Sequence, residues 1–488
     1  MARLPLLLLA LGALPAVVSA QAAPAPRTLT LEEAVQIAER QGMAAAAARS
    51  TRDAARHRDR AFAARLLPRL GLSGRAADLN RGINPITLPN GERQFVRQAQ
   101  NESQLGVVLS QAIPWTGSEL TIGSRASRID IFGDGATSQL WQTTPFVVGL
   151  RQEIFRPRTL LWDRRENDLT AEIADRRYLE AREDLAGQTA SAYFDLFAAQ
   201  LALANAEANA AVNDTLYTLN QGRYEVGKIG ENDLLQSELA LLRARAAMDG
   251  ARLEQQRTEA ALRRLLGLAD GEPIVAAAPS AAPVAEVDPE RAVDYALRGA
   301  SAMREVELER VRAQRQVGQA RSTNGFGATL EAEVGFNQTA SAFNDAYQSP
   351  LGKQSLTLSI GMPLVQWGAG RASVAAARSD VARAAASARA RRDALVEDAR
   401  FAALQLVQSG RMLAISAKAD TVAAKRFDVA KNRYVIGRIG IGDLYIAQSE
   451  KDAALQAYVQ ALRGYWAAHY RLRRLTLYDF VVGREIVE

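Results

Sequence analysis

The sequence predicts a mainly helical protein with a smaller set of membrane-type β-strands, built from an internal duplication. The first observation is a repeat: residues 223–238 (RYEVGKIGENDLLQSE) match residues 433–448 (RYVIGRIGIGDLYIAQ) at seven of sixteen positions, at an offset of 210. The second is strict alternation of apolar and polar residues in several short segments, and the third is a pair of long helical runs without proline. These patterns indicate two copies of one structural unit.

The composition argues against several kinds of chemistry. The 488-residue chain has no cysteine, which removes disulfides and thiolate catalysis, and its only histidines are His57 and His469. The net charge of +6 is distributed over well-mixed signs, so the sequence does not predict a nucleic-acid partner. Because no catalytic constellation or phosphate-binding loop is found either, we expect no enzyme activity, no cofactor and no metal site.

The first twenty residues predict a signal peptide. Arg3 precedes an apolar run from Leu6 to Val18, and Val18-Ser19-Ala20 offers a small-residue cleavage site, so the mature chain is expected to begin at Gln21. The alternative is an uncleaved anchor helix. It is disfavoured because the run is short for crossing about 30 Å of hydrocarbon.

The remaining chain divides into three predicted segments. The first repeat covers 21–266, a linker covers 267–288, and the second repeat covers 289–488. The linker is rich in proline, alanine and glycine and lacks helical periodicity, which predicts an extended connection. The first repeat contains about 48 more residues than the second, and the segment near 80–128 is the expected place for them.

Each repeat opens with a predicted helix, near 30–66 and 289–322, and Thr30 or Thr28 can cap the first. Segments with period-two alternation follow: near 69–78, 104–113, 118–128 and 147–155 in the first repeat, and at 326–336 and 356–364 in the second. The extra residues of the first repeat therefore predict one extra hairpin. Segments of this length and pattern are typical of transmembrane β-strands, with the edge of a soluble sandwich as the alternative.

A very long helix is predicted after the strands of each repeat, at 158–225 and 368–435. At 1.5 Å per residue, each would span roughly 100 Å. The glycines of the RYxxGxIGxxDL element can then stop the helix and reverse the chain. Return helices are expected near 231–266 and 441–476.

Six strands are too few to close a membrane β-barrel, since single-chain barrels begin at about eight strands. Open strand edges in lipid leave unpaired backbone groups, so membrane strands of this chain would require several chains to share one barrel. Two readings of another kind remain open at this point: a periplasmic adaptor built on helical hairpins, and a structural coiled-coil protein without a pore.

The order of these elements resembles that of the TolC-type outer-membrane efflux proteins. The resemblance rests on LTLEEAVQIAERQG at 29–42, LGLADGEP at 266–273, the duplicated turns, and the strand pairs followed by long helices. It implies a homotrimer in the bacterial outer membrane, with a shared β-barrel continued by a periplasmic α-helical coiled-coil barrel. It also implies the function of a channel-tunnel in efflux or type I secretion, with outer-membrane lipid, a periplasmic adaptor and an inner-membrane pump as partners.

The resemblance implies roles for both helix-turn-helix tips. In such proteins the tips dock the adaptor, and the matching residues are Val226, Gly227, Lys228, Ile229 and Gly230 in the first repeat and Ile436, Gly437, Ile439 and Gly440 in the second. The resemblance also implies an entrance gate formed by Tyr434, Arg438 and Asp443, with Ile439 and Ile446 at two further gate positions. Three copies of Asp443 would favour cations at a narrow entrance, and the alternative role of Asp443 is to cap the return helix.

Overall fold

The computed structural model describes residues 27–132, 137–269, 273–278 and 286–487. The predicted signal peptide and parts of the predicted linker lie outside the described residues. In chain order the helices and strands are β1 (Arg27–Leu29), α1 (Leu31–Gln41), α2 (Met43–Arg65), β2 (Arg69–Arg75), β3 (Leu79–Thr87), β4 (Arg93–Ile113), β5 (Ser118–Phe132), β6 (Thr137–Ile154), α3 (Thr159–Glu225), α4 (Glu231–Leu266), β7 (Ile274–Ala276), α5 (Pro289–Gly299), α6 (Ser301–Thr323), β8 (Gly327–Ala340), β9 (Leu351–Gly361), α7 (Ala369–Val435), α8 (Ile441–Thr476), β10 (Tyr478–Asp479) and β11 (Arg484–Glu485).

The chain divides into two compact units. The first, called the helical unit, consists of the described parts of Met1–Met43, Gln188–Ala282 and Ile415–Arg463. The second, called the sheet unit, consists of Ala44–Gly187, Pro283–Ala414 and the described part of Gly464–Glu488. Among the described residues, no helix combines the length and the apolar character needed to cross a membrane.

The beginning of the helical unit is fixed by a cap and a short parallel sheet. Thr30 caps α1 as predicted, because its side chain accepts from the amide of Glu33 while the Glu33 carboxylate accepts from the amide of Thr30. β1 pairs in parallel with β7, which lies within the predicted linker. The buried hydroxyl of Tyr193 donates to the carbonyls of Leu29 and Ala277 at 3.1 and 2.7 Å. These two contacts tie the long helix α3 to β1 and to the residue that follows β7.

Both opening helices differ from the prediction, because each is broken into two. The predicted helix at 30–66 is interrupted at Gly42, and the predicted helix at 289–322 is interrupted at Ala300. A Cβ atom at position 42 would lie 2.4 Å from the carbonyl oxygen of Ala38, so only glycine fits this backbone without displacement. The same break recurs in both repeats, as expected for a duplicated unit.

The described part of the sheet unit contains a small antiparallel pair, β10 and β11, and one large antiparallel sheet. The strand order of the large sheet is β2–β4–β5–β6–β8–β9, and β3 follows β2 along the same edge of β4. The predicted strands are present; β2 ends three residues earlier than expected, and the others are longer than expected. β3 and the first half of β4 were not predicted, because apolar and polar residues alternate only weakly in these segments. A short irregular segment at 76–78 separates β2 from β3, so these two strands fill one position of the sheet.

The sheet has one apolar and one polar face, in agreement with the period-two pattern. Leu356, Leu358 and Ile360 lie exposed on one face of β9. On the opposite face, Lys353 pairs with Glu333 at 2.8 Å and Arg151 lies 3.6 Å from Glu331. A sheet of this kind can separate an apolar surrounding from a water-filled space.

The long helices of the two repeats have equal lengths. α3 and α7 each contain 67 residues, and α4 and α8 each contain 36. All four begin and end within a few residues of the predicted positions. In the sheet unit, the part of α7 around Leu395 and Ala399 packs against Val293 and Ala296 of α5.

A buried ionic cluster lies near the end of α8 in the sheet unit. Arg473 contacts the fully buried carboxylate of Glu183 at 2.9 Å and Asp479 at 3.1 Å. His469 lies beside this cluster and is also buried. Burial, together with the neighbouring positive charge of Arg473, lowers the pKa of His469 to about 4. The imidazole is therefore neutral at physiological pH.

Candidate functional site at the helix-turn-helix tips

The two tips have the same backbone conformation. In each turn, the amide of the first glycine bonds to the carbonyl of a tyrosine three residues earlier: Gly227 to Tyr224 at 2.8 Å, and Gly437 to Tyr434 at 2.9 Å. The φ angles of these glycines are 71° and 74°, in the left-handed region that favours glycine. The predicted role in ending a helix and reversing the chain is therefore confirmed for Gly227 and Gly437, whereas Gly230, the other glycine of the first turn, precedes α4 with an extended backbone and a φ of −81°.

The predicted docking residues are mostly exposed. Val226 and Ile436 occupy matching positions at the two turns, and their exposed fractions are 68% and 64%. Ile229 and Ile439 are half-buried, while Lys228 is exposed. Each tip thus presents a small apolar surface on a hydrogen-bonded turn, which is suited to contact with another protein.

Tyr434 is buried at the second tip and contacts α3. Its exposed fraction is 5%, and its hydroxyl donates to Oδ1 of Asn220 at 2.8 Å. Asn220 is fully buried, and its amide nitrogen has no partner among the described residues. The guanidinium of Arg223 lies 5.3 Å from the tyrosine ring and also donates to the carbonyl of Val435. This arrangement joins the end of α7 to α3.

An apolar cluster surrounds the Tyr434 ring. The buried members come from α3, α7 and α8 and are Leu216, Phe427, Tyr434, Ile441, Leu444 and Ala447. Tyr224, the matching tyrosine of the first tip, is 42% exposed. The two tips therefore share a backbone but differ in how their tyrosines are packed.

The other two predicted gate residues do not belong to the apolar cluster around Tyr434. Arg438 and Asp443 are exposed, and neither makes an ion pair among the described residues. Asp443 lies in the first turn of α8, where a negative charge is favourable at a helix N-terminus. Its carboxylate makes no capping hydrogen bond in the described part of the chain and faces solvent.

A row of asparagines on α3 faces α8 above the tip. Asn205 and Asn209 donate to Asp452 at 2.7 and 3.0 Å, and Asn209 accepts from Lys451 at 3.1 Å. Asn213 is buried one turn nearer the tip and donates to the carbonyl of Asn209. Sequence reasoning did not find this row or Asn220, although their spacing of four and seven residues places them on one face of a helix.

The asparagine row lines a groove over α3, between α4 and α8. Its volume is about 1150 Å³, and its walls combine alanines with amide and charged side chains. Burial raises the pKa of Tyr445, which lines this groove, to about 12, and the Tyr445 hydroxyl has no hydrogen-bond partner among the described residues. Burial also raises the pKa of Asp195, although Arg463 lies 3.2 Å away.

Two rows of large apolar side chains are exposed on the helical unit. The row on α4 follows spacings of four, three and eleven residues, and the row on α7 repeats every seven, as in coiled-coil seams. The members are Leu235, Leu239, Leu242 and Leu253 on α4, and Ile415, Val422, Val429 and Ile436 across α7 and the following turn. Such rows indicate surfaces that pack against further helices.

The outer membrane efflux protein family matches residues 35–268 and 292–476, and the chain belongs to this family. The predicted resemblance is thus confirmed, and the two matched segments agree with the duplication. Family and fold are those of channel proteins rather than enzymes, and they place the protein in the bacterial outer membrane with an extension into the periplasm.

Several solved outer-membrane channels share this fold. The Campylobacter jejuni CmeC channel is 16% identical with a TM-score of 0.65, covering 94% of this chain and 87% of its own. The open state of Neisseria gonorrhoeae MtrE is 16% identical with a TM-score of 0.62, covering 94% and 91%. Among curated proteins, Protein CyaE of Bordetella pertussis is 26% identical over 314 residues, which cover 62% of this chain and 63% of CyaE.

Proposed function

We propose that this protein is the outer-membrane channel-tunnel component of a tripartite efflux or type I secretion system. It conducts substrates passively to the outside, receiving them from a periplasmic adaptor and an inner-membrane pump. Its working form is a homotrimer held in outer-membrane lipid.

The observation that carries this proposal is the two-faced sheet with free edges. One face is apolar and the other carries charged and hydroxyl side chains, so the sheet suits a wall between lipid and water. Within one chain the outer edges of β2 and β9 have no partner strand among the described residues. In lipid each unpaired backbone group costs several kcal/mol. Several copies remove this cost when their edge strands pair with one another and close one shared sheet.

The exposed apolar rows support association of copies. A coiled-coil seam buries its apolar positions against a second helix, and the rows on α4 and α7 have no such cover in a single chain. We assign a second copy of this chain as their partner, with the α4 row of one copy against the α7 row of the next. Closure of such a head-to-tail contact gives a ring.

The proposed gate lies at the second tip. Tyr434 holds α7 to α3 through Asn220 and keeps the entrance closed, while Arg438 and Asp443 present charge at the opening. Repeated in each copy, Asp443 concentrates negative charge and favours the passage of cations. The adaptor docks on the exposed residues of both turns, from Val226 to Gly230 and from Ile436 to Gly440.

The test is the native mass of the protein extracted from outer membranes in mild detergent, followed by conductance in planar bilayers. We expect a trimer of the 52.8-kDa chain, somewhat reduced in mass by loss of the leader, and discrete conductance steps. A monomer that stays in solution without detergent would contradict the proposal. The strands would then belong to a soluble β-domain of an adaptor or a structural protein.

A further inference from the structure

We propose that the extra strands of the first repeat belong to the membrane sheet, so that three copies close an 18-stranded sheet around an unusually wide lumen. The inference rests on the proposed function, in which three chains share one channel. The second repeat supplies only β8 and β9, whereas the first supplies four sheet positions. Two strands from each repeat would give 12 strands in a trimer, and six positions per chain give 18.

The extra strands are hydrogen-bonded on both sides, within the sheet. β4 pairs with β5 from Ala99–Phe132 to Ile113–Ser118, and its other edge pairs with β2 and β3. β5 pairs in turn with β6 from Ser118–Gln152 to Phe132–Thr137. A hairpin folded over the rim would leave β2 beside β6, and no such pairing exists among the described strands.

The extra strands also continue both faces of the sheet. Following cross-strand partners from β2 to β8, one row contains only apolar residues: Leu70, Leu109, Ile122, Val148 and Val334. On β9, the last strand of the sheet, this row ends at Gln354. The adjacent row on the opposite face runs from β2 to β9 and contains only polar residues and glycine: Arg69, Ser110, Thr121, Gly149, Glu333 and Ser355. A hairpin outside the membrane would have no reason to keep an apolar row in line with the strands on either side.

The two free edges fit a second copy of the same chain. The sheet has six positions, and every adjacent pair is antiparallel, so β2 and β9 run in opposite directions. β9 of one copy can therefore pair with β2 of the next in the same antiparallel pattern. β9 carries a single charged residue, Lys353, so this edge lacks the charges that usually prevent edge-to-edge pairing.

The width of the lumen follows from the strand count. For strands about 4.8 Å apart and tilted by about 40°, 18 strands give a backbone diameter of about 36 Å, and 12 give about 24 Å. The cross-section thus increases about twofold. The inward face carries the Lys353–Glu333 and Arg151–Glu331 ion pairs, which keep this wide passage wetted.

Lipid contact of single labelled residues tests the inference. Because the chain has no cysteine, Ile122→Cys, Leu358→Cys and Thr121→Cys each place one bimane label on the reconstituted protein. Ile122 lies on the apolar row of β5, Leu358 is the benchmark on β9, and Thr121 is the matched control on the polar face. In bilayers with brominated acyl chains, we expect comparable loss of fluorescence at Ile122 and Leu358, and little loss at Thr121.

The outcomes separate this inference from the proposed function. Quenching at Leu358 without quenching at Ile122 would overturn the inference and leave the channel function intact. No quenching at either position would overturn both.

A second experiment tests the shared edges by disulfide formation. Leu72→Cys on β2 is combined in turn with Leu356→Cys, Leu358→Cys and Ile360→Cys on β9. We expect at least one pair to give covalent dimers and trimers on oxidation. The control pair, Leu72→Cys with Leu150→Cys on β6, should give no bond because β4 and β5 separate the two strands. A bond in the control pair, or none in the whole set, would overturn the inference.

Discussion

Removal of the Tyr434 hydroxyl tests the proposed gate most directly. The hydroxyl donates to the fully buried Oδ1 of Asn220 at 2.8 Å. Tyr434→Phe keeps the ring in the apolar cluster with Phe427 and Leu444 but leaves the amide oxygen of Asn220 without its donor. Because the amide nitrogen of Asn220 already lacks a partner among the described residues, the variant leaves the whole amide group buried and unsatisfied.

The size of the effect follows from that burial. A buried acceptor that loses its donor costs about 1–3 kcal/mol. This cost falls on the closed entrance, because water can reach both groups once α7 separates from α3. The equilibrium between closed and open tips should therefore shift toward the open state by about 5- to 150-fold for each chain.

Single-channel recording in planar bilayers measures this shift as an increased open fraction. Tyr224→Phe is the matched control, because it removes the same hydroxyl from the exposed tyrosine of the first tip. The double variant Tyr434→Phe with Asn220→Leu should recover closure, since removing both polar partners together is nearly neutral. Equal open fractions for Tyr434→Phe and Tyr224→Phe would refute the proposal that the Tyr434–Asn220 hydrogen bond holds the entrance closed.

Three further predictions concern the entrance, the assembly and the response to acid. Asp443→Ala should lower the cation preference of the channel several-fold in reversal-potential measurements, with a smaller effect for Asp233→Ala at the matching position of the first repeat; unchanged selectivity after Asp443→Ala would exclude a role for its carboxylate. Leu242→Glu places a charge in the exposed row of α4 and should weaken trimer formation at least tenfold by native mass. The pKa of His469 is about 4 in the folded protein and about 6.5 in the unfolded chain, so between these pH values only the unfolded chain binds the proton. The free energy of unfolding should therefore fall by up to about 3 kcal/mol per chain as the pH drops from 6.5 to 4. The thermal stability of His469→Gln should depend less on pH over that range than that of the unmodified protein. The same pH dependence in both proteins would contradict the view that His469 causes the loss of stability.

The elements that the sequence predicted well are those whose signal is local and repeated. α3 and α7 lack proline, keep helical periodicity and occur twice, so their ends fell within a few residues of the observed positions. β3 was missed because its sequence contains Pro85 and lacks clean alternation. A proline is tolerated there because β3 lies at the edge of the sheet, and edge position is a property of the folded sheet that a single strand does not encode.

The candidate site was only partly predictable for a similar reason. The resemblance selected Tyr434, but the partner of its hydroxyl depends on which face of α3 meets α7, and one sequence does not contain that information. The duplication held a usable signal nonetheless. The position that matches Asn220 in the second repeat is Ala430. Only one of the two equivalent helices, α3, therefore has a polar residue at this position.

One position of the repeat differs in its surroundings between the first and the second repeat. Tyr445 and Leu235 occupy matching positions just after the two turns. Burial raises the pKa of Tyr445 to about 12, and this residue packs against the cluster that contains Tyr434, whereas Leu235 belongs to the exposed row on α4. Under the proposed function, the first copy therefore directs this position toward a neighbouring chain, and the second copy directs it inward, where it supports closure of the entrance. Under this proposal the two turns keep one backbone conformation, and the different residues around them divide assembly and gating between the copies.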